Sequence, residues 1–179
     1  MDLKRLLSQL DLAADWVGLR YVEEITSYRW VRDGHPQANQ RDMTAGIMVE
    51  VLVQGQFAYY ATTRLDSAGV QLAAETAVKL ARDAARYSVF QFTTAARPAN
   101  TGSYRSAFSQ AEESVSPAAL NQLLIRATER LKVSDKIVSS NAMAQIVRSE
   151  QQFVSSNGSD IEQQFLMVSA DYSALAQHG

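Results

Sequence analysis

Between Thr44 and Thr62 the chain reads TAGIMVEVLVQGQFAYYAT. Ala45, Ile47, Val49, Val51 and Val53 alternate strictly with Gly46, Met48, Glu50 and Leu52, the period of a strand with one face turned to a core. Gln54-Gly55 then reverses the chain into Gln56–Thr62, because glycine accepts the positive φ that a tight hairpin turn demands.

The same signals recur on both sides of this hairpin. Leu3, Leu6, Leu7 and Leu10 mark a short amphipathic helix over 2–15, with Asp2 as its cap. From Trp16 the period changes to two: Val17, Leu19, Tyr21, Ile25 and Val31 share one face of a long strand, and Trp16, Val22, Tyr28 and Trp30 the other. Asp33-Gly34 ends it in a second tight turn, and Pro36, which cannot donate to a ladder, predicts an edge or irregular strand afterwards. Ser67–Tyr87 reads as a long helix with a small-residue stripe from Val70 to Ala84, capped by Asp66 or Ser67. Residues 88–115 lose periodicity and read as a long irregular connection. Pro117 opens a further helix to about Lys132, and two extended segments, about 136–154 and 160–172, are joined by a turn at Asn157-Gly158. Strands that come in hairpins predict an α/β domain of the α+β type: a largely antiparallel or mixed sheet with helices packed on it, as one domain over 1–179.

Composition narrows the function. A net charge of −2 with no Lys/Arg run offers no basic stripe for nucleic acid. The absence of cysteine excludes disulfides, thiolate catalysis and Cys-ligated zinc. No segment reaches the ~18 continuous apolar residues of a membrane helix, and the first residues lack a signal-peptide core. The expectation is a cytoplasmic protein without membrane or nucleic-acid partners.

Chemistry is sparse. The two histidines, His35 and His178, lie at a turn and near the last residue, far from the spacing of a zinc site, and read as surface groups. No serine sits in a nucleophile elbow and no glycine-rich loop precedes a helix. Glu23 and Glu24 are adjacent on a strand, so their carboxylates diverge and form no dyad; Glu112-Glu113 reads as a solvated loop pair. The aromatic residues Trp16, Trp30, Tyr21, Tyr28, Tyr59 and Tyr60 read as core and edge packing. The residues themselves describe a non-catalytic domain.

Five stretches in order resemble the N-terminal domain of the TldD/PmbA family, once called modulators of DNA gyrase: VRDG (Val31–Gly34), TAGIMVEVLVQGQFAYYATTRLD (Thr44–Asp66), KLARDAAR (Lys79–Arg86), GSYRSAF (Gly102–Phe108) and EQQFVSSNGSDIEQQ (Glu150–Gln164). The resemblance implies a zinc metallopeptidase acting on peptides or unfolded protein as a homo- or heterodimer with a family paralogue. In that family a His-Glu-x-x-x-His helix beyond the N-terminal domain carries zinc and the general base. This sequence has no such motif, so no catalytic or metal-binding residue and no cofactor is assigned to it, and zinc is expected only in the full-length protein. The resemblance implies a fragment whose C-terminal metal-binding domain is absent from the chain. Asp33, Gly34, Tyr104, Arg105, Asn157 and Gly158 are the candidates for contacts with substrate or a second subunit. The competing expectation is a stand-alone peptide- or protein-binding regulatory module that uses a sheet edge. Phe165-Leu166-Met167-Val168, apolar on both faces, predicts self-association.

Overall fold

The computed structural model describes residues 1–108 and 115–178; the pair Glu112-Glu113 lies outside the described residues. In chain order these form α1 (Leu3–Ser8), β1 (Trp16–Arg32), β2 (His35–Val53), β3 (Gln56–Thr62), α2 (Ser67–Ala85), β4 (Thr101–Arg105), α3 (Pro117–Arg130), β5 (Ile137–Ser155) and β6 (Asp160–Ala176). The strands hydrogen-bond in the order β3-β2-β1-β5-β6-β4. β2 and β3 pair antiparallel, from Ile47 opposite Thr62 to Val53 opposite Gln56, whereas β4 and β6 run parallel, Thr101 opposite Asp160. The sheet is therefore mixed, and the fold is of the α+β type expected.

Both tight turns form as their sequences dictate. Asp33 and Gly34 have φ of 48° and 80°, and Gln54 and Gly55 of 53° and 75°. Positive φ at both central residues is the turn whose twist matches that of paired strands. Beyond the first turn, β2 is one continuous strand of 19 residues. Pro36 is accommodated because β3 reaches only Ile47, so among the described residues the first part of β2 has no strand on that side, and a missing N–H breaks no ladder there. The helix expected over 2–15 stops at Ser8. The connection over 88–115 is not irregular throughout: Thr94–Ala96 forms a 3-10 turn and Thr101–Arg105 is β4. A five-residue strand that pairs with a segment 59 residues away carries no local period to announce it.

The described residues divide into two compact units. The first comprises Met1–Glu23, Thr44–Arg105 and Ser149–Gln164; the second comprises Glu24–Met43 and the described residues within 106–148 and 165–178. In the first, Val17 and Leu19 of β1, Ile47, Val49, Val51 and Val53 of β2 and Val154 of β5 are buried against α2 residues Val70, Ala73, Ala74, Ala77, Val78 and Ala81. The small side chains let α2 approach the sheet closely, and Asp66 caps it by accepting from the Gly69 N–H at 2.6 Å. A methyl group on Gly69 would lie 2.6 Å from the carbonyl oxygen of Arg64, so the entry to α2 admits only glycine without movement. α1 adds Leu3, Leu6 and Leu7 to the same core. In the second unit Val31, Ala142 and Ala144 pack with Leu124 and its neighbours on α3, whose N-terminus is capped by Ser116 at 3.1 Å from the Ala119 nitrogen.

Candidate functional site

In the first unit, strand alternation places Trp16, Gly18, Arg20, Glu50 and Leu52 on the sheet face opposite α2. This face carries an aromatic cluster. Trp16, 2% exposed, meets Phe57 edge-on at 6.1 Å between centroids and lies 6.4 Å from Phe153, while Phe57 continues to Phe92 at 5.4 Å. Gly18 makes room for it: a methyl group there would lie 2.5 Å from the Trp16 ring. The segment after α2 returns over the face, tied by the Phe92 N–H donating to the Gly55 carbonyl at 2.8 Å.

Arg97 ends that returning segment. Its guanidinium donates through Nε (2.8 Å) and Nη2 (2.6 Å) to Glu50 Oε1, lies 4.6 Å above the Phe57 ring and reaches the Tyr59 hydroxyl at 3.1 Å. Glu50 is only 5% exposed. The hydrogen bond to Glu50 raises the affinity of Arg97 for its proton, and burial pushes the Tyr59 phenol up. Glu50 reads as the polar member of an alternating strand, and its partner lies 47 residues away. Met48 and Leu52, apolar on the same face, were the available signal: a lone acid on such a face requires a cation.

Asn157 locks the β5–β6 turn to this cluster. Its Oδ1 accepts from Trp16 Nε1 at 2.8 Å and from the Ser155 hydroxyl at 2.6 Å, and its Nδ2 donates to the Arg97 carbonyl at 2.7 Å. Gly158, at φ 99°, donates its N–H to the Ser155 carbonyl. The turn thus joins the start of β1, the hairpin and the returning segment.

The six candidates divide between the two units. Asn157, Gly158, Tyr104 and Arg105 belong to the first unit, and Tyr104 and Arg105 are exposed on β4. Asp33 and Gly34 belong to the second unit. There Asp33 Oδ1 accepts from the Ser140 N–H at 2.8 Å with Lys132 Nζ 3.6 Å away, and the Gly34 N–H donates to the buried Thr128 hydroxyl at 3.1 Å. The Ser140 N–H, then Lys132, hold the Asp33 carboxyl below the usual carboxylate range. Since the folded chain favours ionised Asp33, its contribution is present above the usual carboxylate pKa and is lost as pH falls through the lowered one. We expect Asp33→Asn to be less stable than the parent near neutrality, with the gap in melting temperature closing on acidification; a gap independent of pH contradicts this.

Glu23, one of the strand acids, accepts from the Tyr21 hydroxyl at 2.8 Å. Burial and then this bond push the Tyr21 phenol up to about 12. His35 and His178 are both exposed. Among the described residues no group of three or more His, Cys, Asp or Glu is placed to hold a metal ion, and no helix is long and apolar enough to cross a membrane.

A pocket of about 240 Å³ opens on the face of Trp16 and Glu50, lined by Arg20, Arg97, Gln151, Phe153, Ile161 and Gln163 among others. The Arg20 guanidinium carbon lies 5.5 Å from the Phe153 ring centroid. Its lining combines two guanidinium groups and one carboxylate with the side-chain amides of Asn100, Gln151, Gln152 and Gln163.

Residues 17–81 match the family model of PmbA/TldA metallopeptidase domain 1. No curated protein matches the chain. Among solved structures, a protein described as a modulator of DNA gyrase from Bacteroides thetaiotaomicron superposes with a TM-score of 0.74 at 15% identity, covering 99% of this chain and 42% of that one. A counterpart from Thermotoga maritima gives 0.62 at 13% identity, covering 90% and 39%. TldE from Thermococcus kodakarensis gives 0.62 at 11% identity, covering 98% and 43%. At these identities the structures show the fold, and the chain spans about two fifths of their length. The resemblance to the TldD/PmbA N-terminal domain is borne out, by sequence over 17–81 and by fold over nearly the whole chain.

Proposed function

From the premise that this is a TldD/PmbA N-terminal domain, we propose that the chain serves a zinc metallopeptidase without carrying its catalysis. In this reading it shapes the substrate chamber and the contact between two subunits of a cytoplasmic homo- or heterodimer. The match of residues 17–81 to the first domain of a metallopeptidase family is the observation that carries the reading. Zinc does not fit the residues described here: among them no three or more His, Cys, Asp or Glu side chains are grouped so as to hold a metal ion. The metal and its general base would belong to further sequence of the protein, and no step of hydrolysis is assigned to this chain.

The role left to the domain is to hold peptide. β3 stands at one end of the strand order, and its sequence QFAYYAT contains neither proline nor charge to block pairing. Tyr59 and Tyr60 are exposed along it. An extended substrate segment adds there as a further strand, bound through backbone hydrogen bonds that tolerate many sequences. Hydrogen exchange with unfolded casein tests this. Slowed exchange of β3 amides supports it; unchanged β3 exchange while casein is bound elsewhere overturns edge addition.

A further inference from the structure

We infer that the pocket beside Phe153 is a receptor for a carboxylate, anchored by Arg20. This does not rest on the peptidase reading. Of the two arginines lining the pocket, Arg97 is committed to Glu50 through two hydrogen bonds. Arg20 has no carboxylate within ion-pair distance and no hydrogen-bond partner among the described residues; its recorded contact is the Phe153 ring. Two cations and one acid leave the pocket with a single uncompensated positive charge.

Arg20 is also held in position. Its guanidinium lies on Phe153, whose ring is backed by Trp16, and Gly18 admits that packing. A planar guanidinium held this way presents parallel N–H groups that match the two oxygens of a carboxylate. The side-chain amides of Gln151 and Gln163, both partly buried, line the same space and can donate to or accept from the group next to the acid. At about 240 Å³ the pocket is smaller than the ~300–1,000 Å³ of a drug-sized ligand site. It suits one acidic side chain, one peptide end or one small free acid. A dianionic phosphate would leave a net negative charge, so the carboxylate is the better match.

The test uses the whole chain, its Arg20→Gln and Arg20→Lys variants, and three probes followed by NMR titration: N-acetyl-trialanine with a free terminal carboxylate, the same peptide amidated, and succinate. Arg20 is exposed, so both variants should fold, which their melting curves check. The free acid should bind at least about tenfold more tightly than the amide, the scale of a charge-assisted hydrogen-bonded pair. Arg20→Gln should erase that preference and Arg20→Lys should keep part of it. Binding of the peptide acid but not succinate identifies a chain end as the source, and binding of both extends the site to free acids; either result supports the inference. Equal binding of acid and amide, a preference that survives Arg20→Gln, or no binding of either acid at millimolar concentration overturns it.

Discussion

Trp16→Ala should lower the stability of the first unit by about 3–5 kcal/mol, the range for truncating a large buried aromatic side chain. The ring is 2% exposed, packs on Phe57 and Phe153, and fills the space that Gly18 leaves. Its indole N–H is donated to Asn157, so the substitution also loosens the turn that joins β5, β6 and the returning segment. Trp16→Phe separates the two contributions. It keeps most of the apolar contact and loses one hydrogen bond, for a smaller cost that includes about 1 kcal/mol for that bond. Denaturant unfolding followed by hydrogen exchange in β2 and α2 measures both. A Trp16→Ala protein within about 1 kcal/mol of the parent would show that the cluster does not hold the unit together, because such a loss is typical of any substitution.

The second large effect concerns Glu50 and Arg97. Removing one partner of a fully buried ion pair costs about 3–5 kcal/mol, because the other charge is left without compensation. Glu50 fits that case with its side chain 6% exposed, but Arg97 keeps 38% exposure and water screens part of the interaction. For Arg97→Ala we therefore expect the lower part of the range, about 2–3 kcal/mol. The loss includes the packing of the guanidinium on Phe57. Replacing both charges, as Glu50→Leu with Arg97→Met, should be milder than Arg97→Ala alone, since no buried charge then remains. A double-mutant cycle reads the coupling directly. If the double replacement costs as much as the sum of the two single ones, the pair is not coupled and this account of the face is wrong.

These two features mark where local pattern stops being informative. The turns at Asp33-Gly34 and Gln54-Gly55, the stripe of α2 and the Pro117 start of α3 were all legible, because each depends on residues within one or two turns of chain. β4 was not, since its pairing with β6 joins segments distant in sequence and its five residues are all exposed. The membership of the two cores was not legible either, because β1 gives Val17 and Leu19 to one and Val31 to the other, and β5 gives Val154 to one and Ala142 and Ala144 to the other, with no change in local period to mark it. Asn157 was read correctly as a turn residue, but its three hydrogen bonds to Trp16, Ser155 and the Arg97 carbonyl depend on tertiary placement. Arg20 and Arg97 drew no notice in the sequence for the same reason. An isolated arginine on a strand acquires meaning only from what the fold sets beside it.

The central claim is that this domain serves a metallopeptidase without holding the metal. The most direct measurement is the zinc content of the purified chain after equilibration with zinc, paired with turnover of unfolded casein in the presence and absence of EDTA. The account predicts no stoichiometric zinc and no cleavage by this chain. Tightly bound zinc together with casein turnover that EDTA abolishes would contradict it.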